Sequence, residues 1–542
     1  MIRRVKRKLN SYRIERLTLE YIKHNLRCFS GAAKTKNHNG PEVLFELNGV
    51  HSAHIAYSYL AKVLAKKYEA RITAYAATGI PSFWKKLEWK LSRYLSLREF
   101  SVYRSFGVSG FFQPQLGSSQ LGRAKQLSDQ ILGELENKAD IESIRIDGVW
   151  LGDLIYDFYL MTFKKPTIEI ADECFKEFLL SAIGLYVFWD DYFESHDVRA
   201  VNVSHCVYIN AIPLRIAVNK GIPAFQINAT HAYRLGKQSL FAYNDFFEFR
   251  EVFRSLPANV QSAGLEQARQ RIELRFSGKV GVDMGYSTKS AYGVRKTERL
   301  LKESARTKIL IATHCFFDSP HSYGNNLFPD FYEWLDFLGK MTLETDYDWY
   351  IKTHPDYLAG TKEVIDSFIE KYPKFHLLPA DSSHHQIIAE GINVALTTYG
   401  TIGFEYAALG VPVVNASLNN PHIAYNFNLH PKSIEEFREV LLNLDHIDLN
   451  IDKSEVYEYY FMKYIYNTSD WLFGSYRQME EEVGGYSEQF APKVYGVWMR
   501  EWTPSKHAGI IAALSSFVES GDFRLGSAHL GRDFILAEGQ ES

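Results

Sequence analysis

Residues 397–414, TTYGTIGFEYAALGVPVV, place glycine, hydroxyl and carboxylate groups at a spacing that can hold a nucleotide. The run reads as a strand end, a tight glycine turn, a short helix and a second buried strand. Gly400 and Gly403 let the backbone come close to a ligand, and the first N–H groups of a new helix have no partner within it. Glu405, one turn further on, is an acceptor for a pair of sugar hydroxyls. A phosphate on the helix start and a ribose on the carboxylate describe a nucleotide site. Taken alone, the segment reads equally as an ordinary strand–turn–helix joint with Glu405 exposed.

The run YDWYIKTHPDY (residues 347–357) favours the first reading. It is a buried strand ending in Lys352, Thr353, His354 and Pro355. Parallel strands present ligands at their carboxyl ends, which brings His354 to the same crevice as Glu405. Pro355 stops the strand and keeps His354 extended.

With these residues the C-terminal half resembles GT-B glycosyltransferases of bacterial surface (capsule-type) polysaccharide biosynthesis, especially Kdo- and sialyltransferase-like capsule enzymes. Those enzymes carry a His-Pro dipeptide at the donor phosphate and a Ser/Thr-rich turn before a nucleotide-holding helix. His354-Pro355 and Thr397-Thr398-Tyr399-Gly400-Thr401 match them. The resemblance runs over residues 308–444 and is weaker in the N-terminal half. It implies two Rossmann-like, doubly wound α/β domains facing an interdomain cleft, with C-terminal helices crossing back. It also implies a metal-independent glycosyltransferase with no cofactor, its nucleotide-sugar donor being a substrate. The favoured donor is a CMP-activated keto-acid sugar such as CMP-Kdo, with UDP- and GDP-sugars open. The acceptor is a cell-surface polysaccharide or glycolipid.

A similar turn and helix occur in polyol-phosphate transferases and sugar-nucleotide 2-epimerases. A CDP-polyol phosphotransferase and a non-catalytic GT-B scaffold of polysaccharide assembly therefore stand as alternatives. The glutamate pair seven residues apart of many retaining GT-B enzymes is absent, since Pro412 stands seven places after Glu405.

In such an enzyme His354, supported by Lys352 and the backbone at Gly400 and Thr401, stabilises the leaving phosphate. Pro355, Thr398, Tyr399 and His314 complete the expected donor site. His314 belongs to THCFFDSPHSYG (residues 313–324), whose His314, Asp318 and His321 follow a strand; at least one of them should line the cleft. The base that activates the acceptor hydroxyl should come from the first domain, where His51, His231, Asp153 and Asp157 are candidates and His51 and His231 have the better positions. Asp190-Asp191 lacks DxD metal spacing and reads as a helix terminus or loop.

Composition sets the frame. The 542 residues exceed one core, and 46% hydrophobic with 15% aromatic residues describes packed domains. A net charge of -3 argues against a general nucleic-acid binder. The four cysteines, Cys28, Cys174, Cys206 and Cys315, form no CxxC pair and fit free thiols in a reducing, cytoplasmic setting. The longest apolar run, residues 178–189, falls short of the roughly 20 residues that span a bilayer. The start MIRRVKRKLN lacks the apolar core of a signal peptide. It reads either as a solvated tail or as a contact with anionic lipid at the inner membrane face, at about 1 kcal/mol per basic residue.

Alternation along the chain divides it into a basic extension (1–40), an acceptor-side α/β domain (41–254), a polar connection (255–307), a nucleotide-sugar domain (308–450) and a helical region (451–542). Within the first domain, residues 43–49 and 70–77 are strands, residues 51–54 a turn and residues 55–67 a helix. The second predicts strands near Lys308, Asp348, Phe375, Asn393 and Pro412 with helices between them. The charged run VRKTERLLKESAR (residues 294–306) looks helical.

Overall fold

The computed structural model describes residues 15–29, 40–79, 82–284, 287, 289–293, 296–354, 360–467 and 469–531. Pro355 and the basic residues of the first ten positions lie outside them, and with them the expected lipid contact of the N-terminus.

Two parallel sheets organise the chain. Helix α1 (Arg16–Cys28) precedes β1 (Glu42–Glu46), α2 (His51–Lys67) and β2 (Arg71–Tyr75). Helix α3 (Phe83–Tyr94) then leads towards β3 (Val108–Phe112). Helices α4 (Gly152–Phe163) and α5 (Glu173–Ser195) come before β4 (Val198–Val203), β5 (Ala224–Ile227) and β6 (Ala232–Leu235). The strand order is β3-β2-β1-β4-β5-β6, parallel except for the terminal β5–β6 hairpin. Every residue of β1 is buried, as a strand covered on both faces requires.

Helix α6 (Ala258–Phe276) follows. The second sheet contains β7 (Lys308–Ala312), β8 (Asp348–Lys352), β9 (Phe375–Leu377), β10 (Val394–Thr397) and β11 (Val413–Asn415). Between them lie α7 (Phe331–Glu344), α8 (Thr361–Lys371), α9 (His384–Ala389) and α10 (Ile402–Ala408), and α11 (Ile434–Leu442) comes after. This sheet is wholly parallel in the order β9-β8-β7-β10-β11. Its first strand is central and the chain winds outward both ways, as in the first sheet. That reversal opens a crevice at the carboxyl ends of the strands. The pair of doubly wound sheets is the GT-B arrangement.

The C-terminal region crosses back. Helix α12 (Lys453–Tyr460) packs on α6 and α10, and a π-helical turn (Phe461–Tyr466) follows it. Helices α13 (Lys493–Glu501) and α14 (Pro504–Ser520) then lie against α1 and α2 of the first domain. Trp498, Leu514 and Phe517 share one core with Val43, Ile55 and Leu60. The Tyr495 and Tyr21 rings stack at 4.0 Å.

Three local expectations change. Residues 51–54 are the first turn of α2. His54 accepts burial there because Nδ1 meets the Tyr495 hydroxyl at 2.7 Å and Nε2 the Asn48 carbonyl at 2.9 Å. Asp190 and Asp191 lie inside α5, where Arg123 pairs with both. The described part of the run 294–306 is not helical. Its backbone N–H groups are taken by side chains of the second domain: Lys296 by Gln386, Leu300 and Leu301 by Glu390, Lys302 by the Tyr350 hydroxyl. Helix formation would have to forgo those bonds.

The segment 313–324 joins the domains. The Tyr208 hydroxyl donates to Asp318 at 2.6 Å, and Asn244 donates to the Tyr323 carbonyl at 3.1 Å. His321 is buried between Asp157, 2.5 Å from Nδ1, and Glu142, 2.7 Å from Nε2. Burial opposes its charge, but the two carboxylates outweigh burial and hold its pKa well above the usual histidine value.

Candidate active site at the carboxyl edge of the second sheet

A pocket of about 830 Å³, partly open to solvent, lies where β7, β8 and β10 end. Ala312, Thr313 and His314 enter from β7, Lys352, Thr353 and His354 from β8, and Thr397, Gly400 and Thr401 from β10. Helix α10 adds Ile402 and Glu405, and the start of α9 adds His384. The opposite wall comes from the end of α6 and the loop behind it, with Arg275, Lys279, Lys289 and Tyr292. Four cationic side chains therefore face one carboxylate, so the pocket favours an anion.

The glycine turn is built as the sequence requires, with a division of labour. A Cβ on Gly400 would come within 2.8 Å of Thr397 Oγ1 and 3.5 Å of His314. Gly403 serves packing instead: its Cβ would meet the His422 ring at 2.4 Å and Asn428 at 2.8 Å. The expectation that Gly403 brings backbone to a ligand is thereby corrected. The N–H groups of Gly403, Phe404 and Glu405 turn back onto Gly400 and Thr401. Those of Thr401 and Ile402 make no hydrogen bond with described residues and remain available at the pocket wall.

Glu405 is buried, not exposed. Arg275 places Nε at 2.8 Å and Nη2 at 2.5 Å from Oε1, and the Tyr292 hydroxyl donates to Oε2 at 2.9 Å. A carboxylate has about four lone-pair sites, so these three bonds leave one for a ligand. Burial works against the Arg275 charge, but Glu405 more than compensates and raises its pKa.

Lys352 is also buried and donates to the Ala380 carbonyl at 3.0 Å. Desolvation brings its pKa down to about 8, with Glu405 and Asp381 opposing the fall. His354 is exposed at the pocket rim. His314 is a neutral wall: burial brings its pKa to about 3, Nε2 meets Thr397 Oγ1 at 3.1 Å, and the ring stacks on Phe331 at 4.7 Å. His384 is similarly held neutral by burial, with Nδ1 2.7 Å from the Tyr406 hydroxyl.

Two expected donor-site residues turn away. Tyr399 donates to the Ser319 carbonyl at 3.0 Å and packs on Tyr323 in the joint between the domains. Thr398 is buried, and neither residue lines the pocket. Arg275, Tyr292 and His384 were not anticipated. Only His384, in the Ser383-His384-His385 run after β9, had a local signal.

A second cavity of about 1020 Å³ opens at the carboxyl edge of the first sheet. Asn48, Ser204, His205, Asn228 and His231 line it with Tyr243, Tyr476 and Tyr486. His231 belongs to this cavity. Burial, and then Arg524, bring its pKa to about 3. Thr230 Oγ1, which donates to Asn228, lies 3.1 Å from Nδ1, so Nδ1 carries the proton, and the Gln226 amide reaches Nε2 at 3.3 Å. His51 does not line the cavity; its Nδ1 is bonded to the Phe490 carbonyl. Asp153 is locked to Arg215 at 2.5 Å in a fully buried pair, and Asp157 to His321, so neither is free to take a proton from a substrate.

No family model matches this sequence, and no curated protein sequence matches it. Among solved structures the chain is similar to the beta Kdo 2,4 transferase of Thermosulfurimonas dismutans KpsC, at 12% identity and a TM-score of 0.30 over 48% of this chain and 79% of that one. The beta Kdo 2,7 transferase of the same KpsC aligns at 12% identity and a TM-score of 0.30 over 72% and 89%. The UDP-GlcNAc 2-epimerase of Neisseria meningitidis, bound to UDP-GlcNAc, aligns at 12% identity and a TM-score of 0.21 over 77% and 97%. At such scores the likeness is partial, and the fold assignment stands on the two sheets themselves.

Proposed function

We propose that the protein is a glycosyltransferase that moves a sugar from a nucleotide-activated donor to a cell-surface polysaccharide or glycolipid acceptor. A CMP-activated keto-acid sugar such as CMP-Kdo is the favoured donor. One observation carries the reading: Arg275, Lys352 and the open N–H groups of Thr401 and Ile402 converge on one pocket at the carboxyl ends of three parallel strands. Anionic phosphate is the ligand such a set stabilises.

In this reading the donor phosphate lies against Lys352 and the start of α10, with Glu405 offering its remaining lone pair to the ribose. His354 at the rim donates to the leaving phosphate as the glycosidic bond breaks. The acceptor occupies the second cavity. His231, neutral by burial, orients the attacking hydroxyl by accepting its hydrogen bond once Nε2 exchanges its long Gln226 contact for that hydroxyl.

The test is release of CMP from CMP-Kdo with and without a surface-glycan acceptor. Acceptor-dependent release that falls about 10²-fold or more in His354→Ala, at unchanged thermal stability, supports the reading. Release from a CDP-alditol instead would replace the transferred group.

A further inference from the structure

Helix α3 shows solvent an apolar face that the fold does not need. At 100° per residue, Trp84, Leu87, Leu91 and Tyr94, with Leu95 just beyond the helix, fall within an arc of about 100°. All five are exposed, Trp84 to 74% and Tyr94 to 83%. The opposite side anchors the helix. The Trp89 ring meets Phe100 at 5.4 Å, Ser92 is buried, and Arg93 donates to the Phe111 carbonyl at 2.9 Å. The face is thus held outward by packing behind it.

One border is basic, with Lys90 beside the apolar arc and Lys86 behind it; at the other stands the helix's single acidic residue, Glu88, paired with Arg98 at 3.4 Å, and Lys85 lies beyond it. Trp and Leu on one face with Lys beside them is the pattern of a helix lying in the plane of a bilayer interface, its basic residues facing anionic head groups. No helix of the described residues is long and apolar enough to cross a membrane, so α3 would lie on one. Its position fits, because the chain enters α3 from the carboxyl end of β2, the sheet edge at which the second cavity opens.

We propose that α3 docks the protein on an anionic phospholipid surface, independently of the reaction assigned above. The experiment is co-sedimentation of the full chain with vesicles of phosphatidylcholine alone and of phosphatidylcholine mixed equally with phosphatidylglycerol. The unsubstituted protein should pellet with the mixed vesicles. The triple variant Trp84→Ser, Leu87→Ser, Leu91→Ser should lose about tenfold or more in binding at unchanged melting temperature, since these side chains are exposed. The variant Lys85→Glu, Lys86→Glu, Lys90→Glu should lose the preference for the anionic mixture. Both variants keep the basic N-terminus, so equal pelleting of either with the mixed vesicles would overturn the proposal. So would a protein that ignores both vesicles yet self-associates through α3, as shown by a monomeric triple variant.

Discussion

Arg275 reaches from the end of α6 to set Nε and Nη2 at 2.8 and 2.5 Å from the same oxygen of Glu405 on α10. The bond ties the wall formed before the second sheet to the helix that starts at the glycine turn. It also holds the guanidinium in the pocket against a carboxylate whose other oxygen accepts the Tyr292 hydroxyl.

Removing one partner strands the other. Arg275→Ala should cost about 3–5 kcal/mol of stability, because Glu405 would be buried without its countercharge. The double variant Arg275→Met, Glu405→Met should regain most of that loss in chemical denaturation. It should nevertheless bind nucleotide no better than the single variant. Recovery of both properties together would make the pair purely structural.

Lys352 predicts a pH dependence. Its folded pKa, about 8, lies below the ordinary lysine value because of burial. Between these two values the unfolded chain binds more protons. The stability penalty of this buried charge is therefore present below pH about 8 and is relieved as pH rises towards about 10.4. Anion binding follows the opposite course: nucleotide affinity should fall as pH passes about 8, when the ammonium is lost. Calorimetric titration across that range checks this, and Lys352→Arg, which stays charged, should flatten the profile.

At the joint between the domains, His321→Ala should destabilise the protein by about 3–5 kcal/mol, since Asp157 and Glu142 would face one another without the imidazolium. Asp157→Asn should cost less, because Glu142 still pairs with the ring. Because the folded pKa of His321 is raised, its contribution fades as pH rises through the folded value, and because burial lifts the Asp157 carboxyl to about 6, acid below that pH neutralises one of its two partners. Urea denaturation at two pH values measures both effects.

Much of this architecture was legible because parallel strands are buried on both faces and read as apolar runs; all five strands of the second domain lie where the alternation predicted them. Lys352 and Thr397 were legible for a related reason, since each ends such a strand, and His354, Gly400 and Thr401 come within the next few positions. Arg275 was not, because its partnership with Glu405 spans 130 residues and leaves no local pattern. Gly403 carried a misleading signal, as a glycine near a turn looks the same whether a ligand or His422 crowds it. The run 294–306 misled in the other direction: its charges suit a helix, but Gln386, Glu390 and Tyr350 take its N–H groups.

The most direct test of the nucleotide pocket is a thermal-shift titration with CMP, CDP, UDP and GDP, each with and without EDTA, on the native protein and on Lys352→Ala. A ligand at about 100 times its Kd stabilises the folded state by about 2.7 kcal/mol. Selective stabilisation by CMP, indifferent to EDTA and lost in Lys352→Ala, is the predicted result. No response to any of the four nucleotides, or a response that Lys352→Ala leaves intact, would contradict the account.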